Sequence, residues 1–364
     1  MSAQHCVVLG AGLMGRLLAW GLVHAGHKVS LFDAHGPEAQ GSAAWVAASM
    51  LAPLAESAIT ELPVVRMGQY SLQRWPALLA QLPAPVFFQQ EGTVILWHRQ
   101  DASDAQRFAD KLQHTRQQLP ELPAPQTLHA ATLAALEPGL ADKFQQGLWL
   151  PQEGQLDNRQ LLNALLQGLQ NSRAELHWHS PHAPEDFPDV DALFDCRGLG
   201  AKTHWPQLRG VRGEVVRLQA PEVPLSRPVR LIHPRYPLYI APKENGVFVV
   251  GATEIETDDV SSASVRSTLE LLSAAYSVHS GFAEARILEL NTQARPTLPD
   301  NLPAIQALGP KAWQINGLYR HGFLIAPALL DAALALLNGD VTLAEQFGLL
   351  HCAAPKRAAI GGAA

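Results

Sequence analysis

The chain has 364 residues, a length that suits two domains of roughly 150 residues each. Hydrophobic residues make up 47% and charged residues 16%, which supplies material for buried cores and argues against a disordered chain. The net charge of −6 argues against a protein whose main partner is nucleic acid.

Three cysteines, Cys6, Cys196 and Cys352, form no C-x-x-C pair and no disulfide framework, which fits a reducing compartment. The opening MSAQHCVVLGAG lacks the basic start of a secretory signal. The apolar runs are interrupted by Gly, His or Arg short of the ~20 residues that a membrane span needs. The expectation is a cytoplasmic protein without a membrane span.

Residues 5–33 read HCVVLGAGLMGRLLAWGLVHAGHKVSLFD. Cys6 to Leu9 is apolar throughout, as in a strand buried on both faces. Leu13 to Ala25 follows at helical spacing and stops at Gly26, and Lys28 to Phe32 is a second short strand. A strand–helix–strand unit of this kind predicts a parallel sheet.

Ser42 to Met50 is rich in small residues. A helix is predicted from Leu62 to Leu82, starting near Pro63, then a strand over Gln89–Trp97 with a turn at Gly92. Ser103 to Leu119 reads as an amphipathic helix and 120–125 (PELPAP) as an extended connector. Gly147 to Asp157 reads as a hairpin turning at Glu153-Gly154, followed by a helix from Asn158 to Leu169.

Ala192 to Cys196 is a buried strand before the turn Arg197–Gly200. Strands are predicted at Val215–Leu218, Leu238–Ala241 and Val247–Gly251, with Glu244-Asn245-Gly246 as a hairpin turn. Val265 to Tyr276 is a helix, Ala312 to Asn316 a strand, and Pro327 to Leu337 an apolar helix with Pro327 in its first turn. The Ala/Gly-rich tail from Ala353 reads as a frayed end.

Gly10-Ala11-Gly12-Leu13-Met14-Gly15 fits G-x-G-x-x-G, and it lies between a strand and a helix. An acid, Asp33, closes the second strand 18 residues after Gly15. In that setting Gly10 makes the tight turn, Gly12 lets backbone approach a pyrophosphate, and Gly15 lets the helix pack on the sheet. Free N–H groups at the helix start bind the phosphates, and Asp33 accepts the ribose hydroxyls. The motif leaves NAD and FAD both open.

The C-terminal half carries GVRGEVVRLQ, RYPLYIAPKENGVFVVGATEIE and RPTLPDNLPAIQALGPKAWQINGLYRHGFLIAPALL. With GAGLMG, the segment 44–51 (AWVAASML) and DCRGLGA at 195–201, the chain resembles the D-amino-acid-oxidase-like FAD family, and within it the glycine oxidases. The likeness runs over nearly the whole chain, and R-P-x-x-x-D and G-x-x-R-x-G-x-x-x-A-P are its most specific parts.

The resemblance implies an α/β fold. It pairs a Rossmann-like FAD domain (1–84, 150–212 and 295–364) with a mainly antiparallel α+β substrate domain (85–149 and 213–294). It also implies non-covalent FAD, held by Gly10, Gly12, Leu13, Met14, Gly15, Asp33, Ala47, Ala48, Met50, Gly198, Arg295, His321, Gly322, Phe323 and Leu324. Tyr239, Arg295, Glu254 and Arg320 are the residues it places around the substrate, with Arg320 on the substrate carboxylate. A guanidinium suits that task because it binds a carboxylate through two parallel hydrogen bonds. Glu254 is a candidate for contact with an ammonium group. The start of the last apolar helix would face the flavin with its positive end.

The sequence departs from the family pattern at Ala43 and Ala44, where hydroxyl residues are common, and at Ser49, where Gly is usual. The implied reaction oxidises a small amino acid or amine (glycine, sarcosine or D-amino acid type) to the imine. Oxo acid, ammonia or amine, and hydrogen peroxide would follow. Alternatives are a dehydrogenase using another electron acceptor, a flavin domain acting on modified tRNA, and a dinucleotide-binding module without catalysis. No metal is expected: His177, His179 and His182 lack a convergent acid or cysteine. An oligomer is compatible with all of these readings.

Overall fold

The computed structural model describes residues 3–232 and 238–351; Cys352 and the tail from Ala353 lie outside the described residues. A seven-stranded sheet runs in the order Leu350–His351, Ala304–Gly309, Ala312–Asn316, Ala192–Asp195, His5–Leu9, Lys28–Phe32, Glu175–His177. Its five strands from Ala312–Asn316 to Glu175–His177 are parallel. His5–Leu9 lies in the middle of that block and is buried along almost all of its length, as its unbroken apolar run requires.

Four long helices share one large core with this sheet: Leu13–His24, Leu62–Leu79, Asn158–Gln170 and Gly322–Leu337. The last is apolar enough, taken as Tyr319–Leu337, to cross a membrane by length and composition, yet most of it is buried inside the fold. It starts five residues earlier than the sequence suggests, so Pro327 is its sixth residue and not part of its first turn. A proline there has no N–H for the carbonyl of Phe323. The indole Nε1 of Trp75 donates to that oxygen instead, at 3.0 Å.

The second sheet has eight strands, in the order Arg286–Thr297, Arg209–Gln219, Val247–Gly251, Leu238–Pro242, Val229–Leu231, Thr93–Leu96, Gln146–Leu150, Gln126–His129. All its pairs are antiparallel except Val229–Leu231 with Thr93–Leu96. Arg209–Gln219 pairs with Arg286–Thr297 along its whole length. Helix Val265–Val278 caps one face of this sheet, through Leu271, Ala275 and Val278.

Two local expectations change. The stretch Gly147–Asp157 is not a hairpin: Gln146–Leu150 belongs to the eight-stranded sheet, and Gly154–Leu156 to a three-stranded sheet with Met50–Leu51 and Phe88–Gln89. Gln152 at φ +66° turns the chain between them. A Cβ at Gly154 would lie 2.4 Å from the Gln89 carbonyl oxygen, so the small sheet closes only around glycine. The strand expected over Gln89–Trp97 is likewise split at Gly92, where φ is +86°.

Candidate active site

A cavity of about 510 Å³ runs from the glycine loop to the start of helix Gly322–Leu337. At one end the loop does what its spacing predicts. Gly10 has φ +91°, and a Cβ there would sit 2.8 Å from the Arg197 Cα. A Cβ on Gly15 would lie 1.7 Å from the Gly10 carbonyl oxygen, so helix and strand approach only through glycine. Gly12 differs: its Cβ would meet only Ser42, at 3.7 Å, and otherwise open space. That open space is where a pyrophosphate fits against the helix N-terminus.

Leu13, Met14 and Asp33 also line the cavity, whereas Gly15 lies behind the loop. The Asp33 carboxylate accepts from the backbone N–H of Ala11 and, at 2.7 Å, from that of His35. Both oxygens are thus oriented and keep lone pairs for ribose hydroxyls.

Sequence reasoning missed Arg16 beneath this loop. It is fully buried and donates to the carbonyl oxygens of Ala11 (2.7 Å), Leu162 (3.0 Å) and Pro37. Burial brings its pKa down to about 10, so it stays charged at neutral pH. Cys196 lines the same end, and burial pushes its thiol well above the usual range. It is a packing residue there and not a thiolate.

Ala47, Ala48, Met50 and Gly198 line the middle of the cavity. The Ala48 carbonyl accepts from Lys243 of the other sheet at 2.9 Å, and Lys243 also donates to Leu156 O (2.7 Å) and Gln155 Oε1 (3.1 Å). Ser49 has φ +52°, which explains why glycine suits this position. Its hydroxyl donates to the Leu156 carbonyl. Gly322, Phe323 and Leu324, the first turn of the last helix, present its free N–H end to the cavity.

The far end is built from both sheets. Tyr239 lies over Gly251, where a Cβ would be 2.7 Å from the phenol oxygen. Arg295 passes Gly213, whose added Cβ would lie 2.2 Å from its Nη2. The Arg295 guanidinium donates to the Thr253 carbonyl from Nη1 (3.2 Å) and Nη2 (3.3 Å). Arg320 lies between two carboxylates, with Nε 3.2 Å from Glu56 and Nη1 3.1 Å from Glu254. Tyr319 also donates to Glu254.

The structure therefore separates the two arginines differently from the resemblance, which put Arg320 on the substrate carboxylate and Arg295 beside it. Arg320 is already matched by acids of its own chain. Arg295 holds only a backbone oxygen, with no carboxylate partner among the described residues.

Glu56 and Arg230 are the other residues that sequence reasoning missed. Both line the cavity and pair with each other, and Arg230 also donates to the Ala55 carbonyl at 3.1 Å. Burial alone would raise the Glu56 carboxyl; Arg320, Arg230 and His321 outweigh it and hold it at about 2. Burial brings His321 down to about 4 despite Glu56, so its ring is neutral at pH 7. Among the described residues at this end, three guanidiniums (Arg230, Arg295 and Arg320) thus face two carboxylates (Glu56 and Glu254), one positive charge in excess. The available signals were a lone acid in the apolar run LAPLAES and an arginine in the strand VRL.

A mostly parallel sheet whose glycine loop opens into a long cavity is the arrangement of a dinucleotide-dependent enzyme. The family model described as FAD dependent oxidoreductase (DAO) matches residues 5–335. The chain belongs to this family, and it is an FAD-dependent oxidoreductase. It is 40% identical to the putative thiamine biosynthesis oxidoreductase ThiO of Rhizobium etli, over 90% of this chain and 94% of that one. It is 26% identical to the glycine oxidase of Pseudomonas aeruginosa, over 93% and 95% respectively. The glycine oxidase structure from Bacillus cereus shares the fold, with a TM-score of 0.78 at 18% identity over 92% of this chain and 97% of that one.

Proposed function

We propose that the protein oxidises a small amino acid of the glycine, sarcosine or D-amino acid type at the carbon bearing nitrogen. The observation that carries this reading is Arg295, a guanidinium in the cofactor cavity with no acid paired to it among the described residues. A substrate carboxylate supplies the missing charge through a two-pronged hydrogen bond. Tyr239 adds a donor: burial raises its pKa, so the phenol keeps its proton. Arg320, assigned to the carboxylate by resemblance, instead braces the pocket wall through Glu56 and Glu254.

FAD fits the cavity: Gly10, Gly12, Leu13, Met14 and Asp33 would hold its dinucleotide end, and Ala47, Ala48, Met50, Gly198 and the Gly322–Leu324 turn the rest. When bound, it supplies the two-electron oxidant for the substrate carbon and delivers the electrons to oxygen, giving hydrogen peroxide, or to another acceptor. The positive end of the Gly322–Leu337 helix stabilises negative charge beside it. Glu56, held at about 2 by its arginines, is too weak a base to take the ammonium proton. The ammonium therefore loses its proton to solvent before it binds, the substrate reacts as the neutral amine, and orientation on Arg295 and Tyr239 carries the rate. The imine product hydrolyses to oxo acid and ammonia or amine.

Strands Arg209–Gln219 and Arg286–Thr297 belong whole to the eight-stranded sheet, so substrate binding falls to 85–149 and 209–297, and cofactor binding to 1–84, 150–208 and 298–351. Likeness to the Rhizobium etli protein supports a place in thiamine biosynthesis. A panel of glycine, sarcosine, D-alanine and methylamine, read by peroxide and by dye reduction, tests the proposal. Peroxide from the amino acids supports an oxidase. Dye reduction without peroxide indicates a dehydrogenase, and neither signal from FAD-loaded protein rejects catalysis on these amines.

A further inference from the structure

Arg320 has a carboxylate of its own chain on each side, and the two differ in how firmly they are held. Glu56 sits on the inner side, buried in the short helix Pro53–Glu56, and also pairs with Arg230. Glu254 sits on the outer side, in the loop after strand Val247–Gly251, with its side chain 40% exposed. Separating a buried ion pair strongly destabilises a protein, whereas a pair open to solvent on one side contributes less. Glu254 therefore holds the accessible side of Arg320, the side from which another carboxylate would have to approach.

The neighbouring residue, Thr253, holds Arg295 through its carbonyl. Consecutive residues thus secure both arginines in one cavity, and Arg320 bears electrostatically on Arg295.

We propose that Glu254 is a specificity-determining residue that restricts the site to amines carrying one carboxylate. It occupies, on Arg320, the place that the second carboxylate of an imino- or amino-dicarboxylate would need. This inference rests on the proposed reading that Arg295 takes the first carboxylate. A monocarboxylate substrate uses Arg295 and leaves the Glu254–Arg320 pair intact. A dicarboxylate must expel Glu254 or meet its charge.

The test uses FAD-loaded wild type, E254Q and E254D. Each is titrated with methoxyacetate and with diglycolate, unreactive probes in which an ether oxygen replaces the amine, and the flavin absorbance change gives Kd. Removing one negative charge strengthens both anions, so the informative quantity is the ratio of their affinities. E254Q is expected to raise the diglycolate-to-methoxyacetate ratio about tenfold or more, since specificity is a difference between two affinities. E254D keeps the charge and is expected to hold the ratio near wild type. A ratio unchanged in E254Q, or raised equally in E254D, overturns the proposal. Arg295→Lys separates the two layers of inference. Methoxyacetate binding that ignores this change overturns the Arg295 reading, and the Glu254 inference with it. Methoxyacetate binding that weakens leaves the ratio alone to decide on Glu254.

Discussion

Gly12 and Gly15 carry the same side chain in one motif, yet the structure gives them opposite tolerances. A Cβ at Gly15 strikes the Gly10 carbonyl, whereas a Cβ at Gly12 enters open cavity. Gly12→Val is thus expected to fold and to lose FAD, because the branched side chain fills the pyrophosphate space. Circular dichroism near wild type with no flavin absorbance is the predicted result; flavin retained at wild-type level contradicts it. This contrast was legible in the sequence because a phosphate loop is a local device with fixed spacing. The Glu56–Arg230 pair was not, because its partners are 174 residues apart and meet only after two sheets have formed. The resemblance gave the carboxylate to Arg320 rather than Arg295 for the same reason: which arginine is already neutralised depends on where Glu56 and Glu254 end up.

Helix boundaries depended on neighbours in a similar way. Pro327 is a natural starting residue by sequence, but Trp75 makes it acceptable inside the helix by donating to the Phe323 carbonyl. Trp75→Phe leaves that buried acceptor unpaired, at a cost of about 1–3 kcal/mol. In a Pro327→Ala background the restored N–H fills the gap, so the same change is expected to cost less. Denaturant unfolding of the double-mutant cycle measures the coupling, and strictly additive losses would refute it.

The short helix Pro53–Glu56 has its own support, since Ala55 N–H donates to Glu153 at 2.7 Å. Burial raises the Glu153 carboxyl to about 7. Its unfolded value is about 4.3, so the folded chain holds a proton that the unfolded chain releases. The resulting stability is fully present below pH ~4.3 and is lost as pH rises through about 7. Glu153→Gln fixes the neutral form. Its stabilising effect is expected to grow by on the order of 2–3 kcal/mol between pH 5 and pH 8. A pH-independent difference in urea unfolding would show that Glu153 is ionised in the folded state.

Across the whole molecule, the resemblance implied the right fold class, and the strand–helix–strand unit at 5–33 agrees with it. It did not reveal Arg286–Thr297, the longest strand and an edge of the eight-stranded sheet. Its polar run Glu289, Asn291, Thr292 and Gln293 hides a strand that is only partly buried. That strand matters because it delivers Arg295 to the cavity from one sheet, while the other sheet delivers the glycine loop. On the proposed function, the enzyme fixes its amino acid by the carboxylate on Arg295. Anaerobic bleaching of the bound flavin by glycine and by methylamine, in wild type, Arg295→Leu and Arg320→Leu, tests it most directly. Arg295→Leu is expected to lose roughly 10²–10³-fold in the rate constant for glycine at low concentration and far less for methylamine, with FAD content retained. Arg320→Leu is expected to lower thermal stability and to slow the two amines alike. Equal losses for glycine and methylamine in Arg295→Leu, with FAD still bound, would remove Arg295 from the substrate carboxylate.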